Sequence, residues 1–191
     1  MNSEQWRGSM LNLHSTKTDN AHIESKINLR KLATAGLDEI RVLDLFAGEN
    51  KLWASFEKER YYGVEKVKGK GKNLNTDNIR VIQSIDLSDF NVIDVDSYGI
   101  PANQIFELYQ NDTLQKGTVI IYTCITNKMS SLNKCILDLF QLRNIYDKSK
   151  TMINGYAVDL FYGMLYSLGV RKVCEYEIKS TYEKHYGFFF V

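Results

Sequence analysis

The sequence is poor in proline, cysteine and net charge. It has one proline, three cysteines and a charge of +1 over 191 residues. Cys124, Cys135 and Cys174 form no close pair, which excludes a disulfide scaffold or zinc knuckle. An odd cysteine count points to a reducing compartment, so the expected location is cytoplasmic. With 24 basic against 23 acidic residues, bulk electrostatics cannot drive the chain onto nucleic acid, although a local basic patch can. No apolar run approaches the roughly 20 residues of a membrane span, and the polar N-terminus lacks a secretory leader, so no membrane partner is expected. His14, His22 and His185 are scattered without ligand spacing, so no metal is expected either.

What the chain does have is a hydrophobic fraction of 44%, enough for one sizeable core. Residues 1–36 read as an N-terminal arm and helix, and 37–191 as the main domain. Helical spacing marks 21–35, 51–60, 102–110, 131–142 and 155–169. Short β-branched or apolar runs predict strands at 41–46, 61–65, 80–86, 90–96 and 117–125. Two further strand-like runs, 171–182 and 184–191, lie too close together for a crossover helix and read as an antiparallel hairpin. Alternating strands and helices predict an α/β fold with a mostly parallel sheet. The segment 126–150 is longer than a plain connection needs, which suggests a lid or recognition insert.

Chemistry concentrates at the ends of the predicted strands. The run Asp44-Leu45-Phe46-Ala47-Gly48-Glu49-Asn50 joins the first strand to the next element. A small residue there lets a ligand approach the backbone. Strand C-termini are where open α/β sheets bind ligands. Glu65 follows 21 residues after Asp44, the spacing expected of a carboxylate on a ribose diol. The turn holds one glycine where a nicotinamide dinucleotide site wants three, yet such a site stays a competing reading, as does a plain strand-to-helix corner. Farther on, Asp94 and Asp96 point to one side of the fourth predicted strand. Two such carboxylates are costly unless paired or used. Ser97, Tyr98, Gly99 and the lone Pro101 follow in a stiff loop, where Tyr98 offers an aromatic face beside a carboxylate. Lys66, Lys68, Lys70 and Lys72 lie in a glycine-containing loop that could hold phosphates or simply be solvated.

The Asp44–Asn50 turn with Glu65 at the next strand end resembles the cofactor site of class I S-adenosylmethionine-dependent methyltransferases. The resemblance implies a Rossmann-like fold with a seven-stranded sheet whose last strand is inserted antiparallel. It implies S-adenosylmethionine as cofactor, with Asp44, Phe46, Gly48 and Asp94 bordering it, Glu65 on its ribose and Asp86 accepting from its adenine. One departure is Asn50, which stands where the family usually has a second glycine. The loop Asp94-Val95-Asp96-Ser97-Tyr98-Gly99-Ile100-Pro101 is similar to that of the tRNA guanine N2-dimethyltransferases, with Ser97 in place of proline. This likeness implies methylation of an exocyclic amine of a nucleic-acid base, RNA guanine before DNA. Asp96 would accept from the amine and Tyr98 would stack on the base, as the catalytic pair. Ser97, Pro101, Lys68 and Lys70 would line the substrate. A small-molecule or protein N-methyltransferase is the first alternative. A non-catalytic module that binds the cofactor is the second.

Overall fold

The computed structural model describes residues 22–68, 74–126, 131–179 and 183–191. A six-stranded sheet organises them, built from β1 (Arg41–Asp44), β2 (Arg60–Gly63), β3 (Val92–Asp96), β4 (Val119–Thr126), β5 (Cys174–Lys179) and β6 (Glu183–Phe190). The strand order is β2-β1-β3-β4-β6-β5. The first four strands are parallel, β5 and β6 form the expected antiparallel hairpin, and β6 inserts between β4 and β5, as the family resemblance implies.

Side chains alternate across this sheet and divide the core in two. Leu43, Ile93, Val95, Ile120, Tyr122 and Phe189 face one side. They pack there with α2 (Asn78–Ser84), α3 (Ala102–Gln110), α4 (Lys134–Leu139) and α7 (Ala157–Ser167). Val42, Val92, Val119, Ile121 and Phe188 face the other. That side is covered by Leu29 and Ala33 of α1 (Ile23–Thr34) and by Trp53 of a 3-10 turn, Lys51–Trp53. The helices α5 (Arg143–Lys148) and α6 (Lys150–Asn154) complete the chain order.

Two elements differ from the sequence expectation. The run 80–86, expected as the third of seven strands, lies mostly within helix α2. Its Val81, Ile82 and Ile85 sit at helical spacing, and the Asp77 carboxylate caps the helix by accepting from the Ile79 N–H at 3.0 Å. β-branched content suggested a strand, but the cap and the spacing decide for helix. The sheet is one strand short as a result, and β2 forms its edge. Among the described residues, only Leu74 continues outward, through a single parallel bridge to Val64. The second difference is 51–60, expected as a helix, which makes a 3-10 turn and then leads into β2. There the Lys58 ammonium donates to the carbonyls of Trp53 and Phe56 at 2.8 and 3.1 Å. A side chain thus takes carbonyls that a continuing helix would have bonded.

Within 126–150, residues 127–130 lie outside the described set. Beyond them, α4 and α5 bury Ile136, Leu137 and Tyr146, and the Tyr146 hydroxyl accepts from the Leu132 N–H at 3.1 Å.

Candidate functional site at the C-terminal end of the sheet

The loop after β1 extends the strand ladder before it turns. Leu45 N–H donates to the Asp94 carbonyl at 2.9 Å, and Ala47 N–H to the Val64 carbonyl at 3.0 Å. Gly48 then adopts φ +52°, and Asn50 adopts φ +62°. Asn50 thus holds the left-handed conformation that asparagine tolerates better than other side-chain-bearing residues. The Gly48 N–H donates to Glu65 Oε2 at 3.1 Å, while Val67 N–H donates to Oε1 at 2.9 Å. Glu65 therefore ties the loop after β1 to the end of β2. Each of its oxygens keeps a further lone pair for a ligand hydroxyl.

Asp44 lies beneath this loop, buried, and burial pushes its carboxyl pKa up to about 8, helped by the neighbouring Asp94 charge. Its oxygens lie 3.1 Å from the Phe46 N–H and 2.9 Å from the Tyr61 hydroxyl. The same hydroxyl lies 3.1 Å from Asn50 Oδ1. One phenol proton cannot serve two acceptors at once. The Tyr61 hydroxyl therefore donates to Asp44 or to Asn50 Oδ1, one at a time.

The end of β3 is held by α1. Arg30, 1% exposed, sends Nε and Nη2 to the two oxygens of Asp94 at 2.7 and 2.9 Å. The Trp53 indole N–H adds a third donor to Asp94 at 2.6 Å. One turn earlier on α1, Lys26 Nζ lies 2.8 Å from both oxygens of Asp96. The Thr123 hydroxyl, opposite in β4, also donates to Asp96. The Lys26 and Arg30 charges outweigh burial and hold the Asp96 carboxyl below the usual range. Both carboxylates are thus paired with cations, which answers the burial cost noted in the sequence.

The structure brings Asp44, Phe46, Gly48, Glu65, Asp96 and Tyr98 to one end of the sheet. Tyr98 is 77% exposed, and its hydroxyl feels both the Asp96 and Glu65 charges, with burial of the ring edge the larger cause of its raised pKa. Other expected residues are placed differently. Asp94, expected at the cofactor, is 0% exposed and enclosed by Arg30 and Trp53. Asp86 caps a 3-10 turn, accepting from Ser88 N–H at 3.0 Å. That turn leads into the start of β3 and bonds Thr113, ahead of the start of β4. Asp86 therefore lies toward the N-terminal end of the parallel strands, away from the strand ends that carry Asp44 and Glu65. The loss of the third strand is the reason, since α2 carries the chain back to that end. The buried Ser97 hydroxyl lies 3.1 Å from each of the carbonyls of Gly99 and Thr123 and donates to one of them at a time, so it shapes the loop from within. Pro101 is buried at the start of α3. Lys68 is exposed on a turn, and Lys70 and Lys72 lie outside the described residues.

Sequence reasoning did not pair Lys26 and Arg30 with the β3 carboxylates, and it missed Trp53, Tyr61 and Thr123 as members of this network. A signal for the first two was present. They stand four apart on a helix whose Leu29 and Ala33 are apolar, so both cations leave one side of it.

Among the described residues, no group of three His, Cys, Asp or Glu is arranged to hold a metal ion. No described helix is long and apolar enough to cross a membrane. None of the three cysteines, all among the described residues, forms a disulfide.

The sequence matches no protein-family model and none of the curated proteins. Solved structures do resemble it in fold. A SAM-dependent methyltransferase from Archaeoglobus fulgidus superposes with a TM-score of 0.53 at 15% identity, covering 87% of this chain and 93% of that one. YhhF of Escherichia coli, named as a methyltransferase, superposes with a TM-score of 0.51 at 13% identity, covering 92% and 87%. At such identities the likeness is one of fold: this chain folds as SAM-dependent methyltransferases do, with one strand fewer than the seven expected.

Proposed function

We propose that this chain binds S-adenosylmethionine above β1 and β2 and transfers its methyl group to an exocyclic amine of a nucleic-acid base, RNA guanine first. The observation that carries the reading is the contiguity of two half-sites. Glu65 accepts from Gly48 on one side, and its charge reaches the Tyr98 hydroxyl, next to Asp96, on the other.

The donor set suits the cofactor. Asp44, Asp94, Asp96 and Glu65 stand against Arg30 and Lys26. Negative charge remains in excess even with Asp44 protonated. A ligand bearing a sulfonium and an ammonium complements that excess. Glu65 keeps lone pairs for a ribose diol, and Gly48 presents bare backbone in a left-handed turn. Asp44 and Phe46 flank the same loop.

When bound, S-adenosylmethionine supplies an electrophilic methyl group on a good leaving group. The residues of this chain then have mainly to position the acceptor. Tyr98 stacks on the base, and Asp96 accepts an N–H of the amine and so turns its lone pair toward the methyl group. A base inside a stem has to be extruded first. Exposed lysines, Lys68 among them, contact phosphates.

A second reading, a binding module without turnover, draws on the 3-10 turn at Lys51–Trp53. No α-helix N-terminus points at the ligand there, which removes one source of electrostatic help. Calorimetric titration with S-adenosylhomocysteine tests the shared part of both readings. Micromolar affinity is expected for the wild type, weakened at least tenfold by Glu65→Ala. Absence of binding at millimolar ligand would sink both. Asp96→Ala then separates them: methyl transfer to RNA is lost with cofactor affinity kept if the chain is an enzyme.

A further inference from the structure

The ion pair between α1 and β3 bears on which amine the acceptor site takes. Lys26 touches both oxygens of Asp96 at 2.8 Å, and Thr123 donates to Oδ1. A carboxylate offers about four lone-pair positions. Among the described residues three are in use, and one on Oδ2 remains. The side chains of Lys26 and Asp96 are 19% and 12% exposed, so the pair is reachable but not bathed in solvent. Among the described residues, the Lys26 ammonium also lies 5.5 Å from the ring of Tyr186, and Arg30 lies one turn along α1. Cations therefore already occupy the place where a positively charged substrate amine would have to sit.

We propose that Lys26 is a specificity-determining residue, neutralising Asp96 so that the acceptor site takes a neutral, planar aromatic amine and rejects an alkylammonium. This rests on the methyltransferase reading above. A neutral aromatic amine needs one acceptor position, which matches what Asp96 has left. It also presents a flat ring to the exposed face of Tyr98. An alkylammonium brings a second positive charge within a few ångströms of Lys26, in a partly desolvated site where like charges repel strongly. Its attraction to Asp96 is already cancelled. The N-terminal helix thus supplies half of the acceptor recognition.

The test compares two acceptor classes, with labelled S-adenosylmethionine as donor. Total RNA presents neutral aromatic amines, and poly-lysine presents alkylammonium groups. The wild type is expected to label RNA at least tenfold faster than poly-lysine. Lys26→Met should narrow that ratio to threefold or less, and Lys26→Arg should restore it. Lys26→Gln replaces the methionine variant if the latter does not fold. An unchanged ratio in the uncharged variant would overturn the proposal, as would equal labelling of both acceptors by the wild type. If S-adenosylhomocysteine binds and neither acceptor is labelled, the acceptor proposal falls while the cofactor site stands. If it does not bind, both fall together.

Discussion

The two loops that build the site are held in different ways. The loop after β1 is shaped mainly by its own backbone: left-handed Gly48 and Asn50, ladder bonds to Val64 and Asp94, and one carboxylate from the next strand. The end of β3 is held by charge brought from afar. Arg30 and Lys26 come from a helix 64 and 70 residues earlier in the chain. A backbone-shaped loop leaves its mark in a short stretch of sequence. A charge-held strand end shows only half of itself, because its carboxylates are visible and their partners are not adjacent.

The comparison breaks most sharply at Arg30. Replacing Arg30 by Ala leaves the Asp94 carboxylate buried without its cation. The expected loss is about 3–5 kcal/mol in urea unfolding, or failure to fold. Pairing it as Arg30→Met with Asp94→Leu should recover most of that, since apolar replacement of both partners removes the unpaired charge. A single variant as stable as the wild type would show that the ion pair contributes little.

Asp44 joins the two loops, and it gives a pH signature. Its folded pKa near 8 lies above its ordinary value of 3.8. The folded state therefore binds more protons than the unfolded state between those values. Stability from this group is full below pH 4 and is lost as pH rises through 8, by up to about 1.4 kcal/mol per pH unit. Asp94 is shifted in the same direction, whereas Asp96 is lowered and adds its opposite slope only below pH 4. Denaturant titrations from pH 5 to 8 should thus show falling stability. Asp44→Asn, which mimics the protonated acid, should flatten the profile. A flat wild-type profile would remove the protonated Asp44 from the account.

The smallest effect is expected within the backbone-shaped loop. Asn50→Ala places an ordinary side chain at φ +62° and removes one acceptor for Tyr61. Left-handed backbone costs such a residue about 1 kcal/mol, and thermal unfolding should register a loss of that order. A larger loss would mean that the Tyr61 contact matters more than the turn.

Much of the fold was legible in the chain itself. The 102–110 helix emerged with its expected bounds as α3, and the terminal hairpin emerged with β6 inserted beside β4. Where reading failed, local preference had lost to context. Val81 and Ile82 favour strands by composition, but the Asp77 cap and the packing of both side chains into the core made α2 of them. Trp53 sits in a helix-like run, yet its indole N–H is drawn to a buried carboxylate 41 residues away. The nearness of Asp44, Gly48 and Glu65 was readable because all three belong to adjacent strand ends. Asp86 stands apart from them because most of the run expected as a strand at 80–86 is helix.

The amino-acid sequence by itself determined the alternation of strands and helices, the left-handed turn after β1 and the carboxylates at the C-terminal ends of the parallel strands. These follow from periodicity, from glycine and asparagine conformations and from strand-end spacing, all of which act over a few residues. Only the tertiary structure decided that the sheet stops at six strands, that Asp94 is enclosed and not available to a ligand, and that Lys26 stands on Asp96. Those outcomes depend on burial and on Coulomb attraction between groups distant along the chain, which are set only when α1 lies across the sheet.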